Sequence, residues 1–289
     1  AKGINLVLAE SRDEDFDNFF LDHIRQGESA LPVFKRRKLP QIAIPTTLSG
    51  GEFSQTMSFS SPELRCKFVF ADVKCLPRVV ILDPETTVHT DSRLWSSTCL
   101  KVFADCFEEV TSPRHVPFVD ALALHAIKTI HTYLPASIRE PADLESRAML
   151  QHATWMAESV KAVTGLGIVT ALRHQLGARL NVAHGIASSI VFQAGIKFNR
   201  PLIDQRLALI AEALKLPFKD DADGATLAIN RAAELIREAS LPTRLRDIGV
   251  ARDELDGVAE AVMHDRQLRN NPKPVRDKAE IVGVLEEMW

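Results

Sequence analysis

Past Asp91, apolar side chains recur every three or four positions, the spacing that gathers them on one face of a helix. Residues 92–110, 117–133 and 144–163 carry this pattern, and Asp120-Ala-Leu-Ala-Leu-His-Ala-Ile-Lys-Thr-Ile is its clearest run. Residues 202–214, 224–239 and 253–263 continue it. Leu241-Pro242 and Asn270-Asn-Pro-Lys-Pro274 interrupt it, because a residue before proline is pushed out of the helical region. Before Asp91 the pattern is mixed. Residues 1–26 read as a helix, opened by Ala1-Lys-Gly-Ile-Asn-Leu-Val-Leu-Ala. Gln41-Ile-Ala-Ile-Pro45 reads as a short buried strand, and Cys66-Lys-Phe-Val-Phe70 and Val79-Val-Ile-Leu-Asp83 as two more. Turns are expected at 46–51 and at Asp83-Pro84. The chain is thus expected to carry an α/β part over 1–91 and an all-helical domain over 92–289.

Composition narrows the function classes. Of 289 residues, 46% are hydrophobic and 25% charged, enough to bury a large core in two domains. A net charge of −3 supplies no global field for nucleic acid or a membrane surface, so neither is expected as a partner. No apolar run is long enough to span a bilayer. The basic run Lys35-Arg-Arg-Lys38 reads as a solvated loop. Cys66, Cys75, Cys99 and Cys106 lack zinc spacing, so reduced, buried thiols in a cytoplasmic protein are expected.

Four segments, in order, carry a family resemblance. They are Ile44-Pro-Thr-Thr-Leu-Ser-Gly-Gly-Glu52, Val80-Ile-Leu-Asp-Pro84, the stretch from Thr164-Gly-Leu-Gly through Arg173-His-Gln-Leu-Gly177 to Ala183-His-Gly185 and Phe198-Asn199, and Asp265 through Asn271-Pro272. Together they resemble the iron-containing alcohol dehydrogenases over essentially the whole chain. The resemblance implies an α/β nucleotide-binding domain followed by an all-α domain, with NAD or NADP as cofactor and a small carbonyl or alcohol as substrate. A homodimer is also implied. Ala1-Lys2 resembles the end of the family's glycine-rich phosphate signature, so cofactor binding is expected to be incomplete without a preceding glycine loop. Thr46, Thr47, Ser49, Gly50 and Lys67 fall where the family contacts its cofactor. Thr-Thr-Leu-Ser-Gly also suits a plain turn, so both readings stand.

The family's metal ligands are one Asp and three His, and here most are replaced. Lys101 stands at the Asp position, Asp105 at the first His and Thr170 at the second; His184 alone is kept. An ammonium is not a metal ligand, so no tightly bound catalytic metal is expected. Asp120 and His125, five apart, point to different helix faces and do not rescue the set. Lys101 and Asp105 form an i,i+4 pair, in which Lys101 could replace the metal's charge beside a substrate oxygen or merely fill an old site. His174, matching a non-ligand histidine of the family, suits a proton relay or a packed position between helices. The expected function is a metal-independent NAD(P)-dependent oxidoreductase, with hydride transfer in the interdomain cleft and Lys101, Asp105, His174 and His184 at the chemistry. The alternative is a non-catalytic scaffold or binding member of the same family.

Overall fold

The computed structural model describes residues 1–10, 34–61 and 66–289, without the side chains of 58–61 and 66–69. Contacts divide the chain into two compact units. One comprises Ala1–Pro45 and Gly51–Ile81; the other comprises Thr46–Gly50 and Leu82–Trp289. The boundary read from the sequence was 91. Residues 82–91 fall with the helices because Arg147, itself buried, donates to the Thr87 carbonyl at 2.8 Å and the Thr87 hydroxyl at 3.1 Å.

In the first unit, helix α1 (Lys2–Glu10) buries Leu6. The remainder of the helix expected over 1–26 lies outside the described residues. Asn5 gives its amide to the Leu39 carbonyl at 2.8 Å and accepts the Leu39 N–H at 3.0 Å, tying the loop before the first strand to α1. Strand β1 (Ile42–Ala43) pairs in parallel with β4 (Val79–Val80), and β2 (Thr56–Ser61) pairs antiparallel with β3 (Cys66–Ala71). β2 was not anticipated, because Ser-rich Thr-Met-Ser-Phe-Ser-Ser has few of the residues that mark a strand. The expected burial of β1 does not hold: Ile42 is 67% exposed, since a two-stranded sheet leaves its faces poorly covered. Leu6, Phe34, Met57, Phe70 and Cys75 form this unit's small core.

The second unit is built on nine described helices: α2 (Ser92–Thr111), α3 (Pro117–Arg139), α4 (Leu144–Thr164), α5 (Ile168–Leu180), α6 (His184–Phe198), α7 (Asp204–Ala213), α8 (Asp221–Glu238), α9 (Glu254–Met263) and α10 (Lys278–Glu287). Asp91, Asp143, Asp220 and Asp277 each accept a backbone N–H in the first turn of the helix that follows, and so fix where α2, α4, α8 and α10 begin. Helix α3 runs past the expected end at Tyr133 to Arg139, with Pro135 inside it; the packing of Leu134 and Ser137 outweighs one lost hydrogen bond. α2 is the central helix. Its Phe107 meets the facing Phe192 edge to face and Phe103 at a tilt, and Trp95 donates to Ser137 at 3.1 Å under the Arg147 guanidinium. α6 approaches α2 closely at Gly185, where a Cβ would come within 2.6 Å of the Ser97 backbone. That contact explains the His184-Gly185 pair sterically. No helix of the described residues is long and apolar enough to cross a membrane.

Candidate functional site

The site grows from the inward face of α2. Asp105 is fully buried there, and three cations converge on its carboxylate. Lys101 lies at 3.0 Å, Lys161 at 2.8 Å and Arg173 at 2.7 Å. Glu158, one turn before Lys161 on α4, accepts from Lys101 at 2.7 Å and also pairs with Lys161. Burial alone would raise the Asp105 carboxyl, but Arg173, Lys101 and Lys161 outweigh it and hold it well below its ordinary value. Burial likewise works against the charged forms of Glu158 and Lys161. Their opposite-charge neighbours prevail, so Glu158 is lowered and Lys161 raised.

The Thr46–Gly50 turn belongs to the same cluster. Thr90 donates to the Thr46 carbonyl at 2.7 Å, Leu48 N–H donates to Thr98 at 3.2 Å, and Lys101 reaches the Ser49 carbonyl at 3.4 Å. Gly50 has φ +73°, and a Cβ there would meet Glu158 at 2.5 Å, so the glycine lets Glu158 lie against the turn. Thr46 and Ser49 remain exposed, and the Thr47 and Ser49 hydroxyls are 3.1 Å apart. Lys67 stands opposite Ser60 in the β2–β3 pair, and its side chain lies outside the described residues.

A second group lies along α5. Arg173 and His174 are neighbours in sequence, and while Arg173 binds Asp105, His174 Nδ1 meets Asp265 at 3.2 Å. Gln175 also donates to Asp265 at 3.0 Å. The His174 and His184 rings meet edge to face at 5.9 Å. Burial would raise the Asp265 carboxyl, but His174, the Gln267 N–H and Gln175 together outweigh it and lower it.

Thr170 closes the network. It donates to Glu108 at 2.6 Å and accepts from Arg173 at 3.0 Å. Glu108 also receives the N–H groups of Gly167, Val169 and Thr170, and Asn271 receives that of Ile168, so two buried side chains cap α5. Burial still pushes the Glu108 carboxyl up to about 7.

Lys101, Asp105 and the Ser49 end of the turn therefore meet, and His174 meets His184. Asp120 instead pairs with Arg206, and His125 is exposed. Glu158 and Lys161 were missed. No local signal marks them: their i,i+3 spacing puts them side by side on α4, but nothing in the sequence says that this face meets α2.

Among the described residues no three His, Cys, Asp or Glu side chains are arranged to hold a metal ion. The donor set here does not fit a divalent cation. Two ammonium groups and a guanidinium occupy the acidic oxygens, and Thr170 is already engaged with Glu108 and Arg173.

A family model for the C-terminal part of the Fe-containing alcohol dehydrogenase family matches residues 96–289. The chain belongs to the iron-containing alcohol dehydrogenase family. Probable alcohol dehydrogenase EutG of Escherichia coli (strain K12) is 33% identical over 248 residues, which are 86% of this chain and 62% of EutG. The chain thus spans less than two thirds of that relative's length. The NAD-dependent methanol dehydrogenase of Bacillus methanolicus is 28% identical over 288 residues, 98% of this chain and 72% of the enzyme. The solved alcohol dehydrogenase from Oenococcus oeni shares the fold with a TM-score of 0.89 at 24% identity, over 100% of this chain and 73% of that one. In this member of the iron-containing family, the Asp105 cluster is a basic and acidic network of side chains.

Proposed function

We propose that this chain serves an NAD(P)-dependent oxidoreductase that interconverts a small carbonyl compound and its alcohol without a catalytic metal. The observation that carries the reading is the ammonium pair of Lys101 and Lys161, placed on Asp105 and Glu158 beside the Thr46–Gly50 turn. The relatives' names as alcohol dehydrogenases support the reaction class.

The turn fits a nucleotide's oxygens. Its backbone is held to α2, and the Thr46, Thr47 and Ser49 hydroxyls can donate to phosphate or ribose. A bound nicotinamide supplies the hydride. The chain's own part is electrostatic and protic. Lys101, 15% exposed, keeps positive charge where an oxygen gains negative charge in reduction. His174, with its Nδ1 on Asp265, can hold or deliver the proton that the nascent alkoxide takes up. Charge without a Lewis acid favours an already activated carbonyl, such as a keto acid, over a simple alkanol. The same reading includes a cytoplasmic homodimer.

A specific observation favours the second reading, a non-catalytic binding member. All three Lys101 protons already have acceptors in Asp105, Glu158 and Ser49, as in a network that only fills an old site. The experiment is titration of NADH and NADPH by fluorescence, with metal content and carbonyl reduction measured on the same sample. Micromolar binding and turnover at substoichiometric metal are expected. Failure of both nucleotides to bind would leave the scaffold reading, and stoichiometric iron or zinc would overturn metal independence.

A further inference from the structure

The basic run Lys35-Arg-Arg-Lys38 is not a plain solvated loop. Lys38 is buried, and its ammonium sits on Glu10, on the Arg36 carbonyl at 3.0 Å and near Asp72 at 3.6 Å. Its nitrogen lies over the Phe34 ring, 5.4 Å from the centroid. From the other side, Lys74 donates to the Phe34 carbonyl at 2.8 Å and the Lys35 carbonyl at 3.4 Å. The run is therefore anchored at both ends, and this fixes where Arg37 stands.

A cavity of about 240 Å³ opens beside it, within the first unit. Arg37, Lys38, Lys74 and Arg78 line it together with Leu39, Pro40, Val73 and Leu76. Among the described residues no carboxylate lines it. Lys38 is neutralised by Glu10 and Asp72, and Lys74 spends two protons on carbonyls. Arg37 and Arg78 are exposed, and among the described residues neither guanidinium has a hydrogen bond or ion pair. Two unpaired guanidiniums and an ammonium around one small cavity repel each other, and that repulsion is relieved by an anion. Ten guanidinium N–H donors are more than a single carboxylate uses, whereas a phosphate's oxygens accept them in bidentate pairs. The four apolar residues suit a small apolar body on the phosphate.

The cavity stands at the N-terminal ends of the parallel pair: Leu39-Pro40 leads into β1, and Leu76 through Arg78 leads into β4. The Thr46–Gly50 turn leaves β1 from the opposite end. The cavity shares no lining residue with the turn assigned above to the nucleotide.

We infer that this cavity is an anion site for a small phosphate monoester with an apolar group, held by Arg37 and Arg78. The test is calorimetric titration of the whole protein with phenyl phosphate, and with inorganic phosphate and AMP as parallel arms. The wild type, Arg37→Gln, Arg78→Gln and Lys101→Met proteins are compared at one fixed ionic strength. Saturable one-site binding of phenyl phosphate is expected, weakened about tenfold or more by either arginine change. Lys101→Met is expected to bind as the wild type does. Tighter binding of AMP would make the source a nucleotide; tighter binding of phenyl phosphate would make it a simple aryl or alkyl ester. No binding at millimolar phenyl phosphate, or equal binding by the arginine variants, would overturn the inference. Both arginines are exposed and unpartnered, so far-ultraviolet circular dichroism is expected to report unchanged folds.

Discussion

Around Asp105, three cations share two carboxylates, and no side chain of the five is more than 23% exposed. At the Arg37 and Arg78 cavity, two exposed guanidiniums have no carboxylate partner among the described residues. Both places hold surplus positive charge, but burial makes them behave differently. A buried cation without a partner costs several kcal/mol, so the helical unit supplies a carboxylate for each approach. An exposed guanidinium is solvated and tolerates the lack of a partner until a ligand arrives. Satisfied charge of the first kind holds structure together; unsatisfied charge of the second kind is available for binding.

Four measurements bear on that contrast. The largest effect is expected from Asp105→Ala, which leaves Lys101 and Lys161 to share Glu158 and removes the carboxylate that Arg173 meets. A loss of about 3–5 kcal/mol in urea unfolding at neutral pH is expected. A loss under about 1 kcal/mol would mean that water already solvates the cluster. Because Asp105 and Glu158 are both lowered, their contribution is present above the ordinary carboxylate values and is lost as pH falls through the folded ones.

Next comes turnover. Lys101→Met is expected to lower carbonyl reduction about 10²- to 10³-fold, with partial recovery in Lys101→Arg. Unchanged turnover would reduce Lys101 to a structural ion pair.

Glu109 supplies the third. It is fully buried, and among the described residues neither carboxylate oxygen has a hydrogen-bond partner. Burial pushes its carboxyl well above the ordinary 4.5, and Glu108 is pushed to about 7. Both folded values exceed the unfolded ones. The stability these groups leave intact below pH 4.5 is therefore lost as pH rises, through about 7 for Glu108 and further for Glu109. Glu109→Met is expected to gain about 1–3 kcal/mol at pH 8 and much less at pH 4.5. Equal gains at both values would show that packing, not ionisation, explains the change.

The smallest effect is expected at the cavity. Arg37→Gln and Arg78→Gln are expected to shift stability by less than about 0.5 kcal/mol in thermal melts. A loss above about 1 kcal/mol would mean that these guanidiniums have structural partners in solution.

Six of the nine described helices of the larger unit were legible from an apolar face; α5, α6 and α10 were not among the periodic runs. The 92–110, 144–163 and 253–263 readings match Ser92–Thr111, Leu144–Thr164 and Glu254–Met263 closely. The Lys101–Asp105 pair was legible because i,i+4 spacing alone brings two side chains together. Lys161 and Glu158 were not, since nothing local says that α4 presents them to α2. Asn199 and Asn271 stood out only as family positions; in the fold they exchange amide hydrogen bonds at 2.7 and 3.1 Å across 72 residues.

By itself the sequence determined the placement of α2, α3, α4, α7, α8 and α9, the family, and the replacement of acidic and histidine ligands by Lys101, Asp105 and Thr170. Those depend on periodicity and on residue identity at one position, which a linear string records. Only the tertiary structure decided that Lys161, Arg173 and Glu158 complete the charge around Asp105. It also decided that Lys38 is buried while Arg37 beside it is left without a partner. Whether a charge is satisfied depends on burial and on groups brought from 50 or more residues away, here Asp105 with Lys161 and Arg173. Coulomb energy depends on distance and surroundings, and the fold alone sets both.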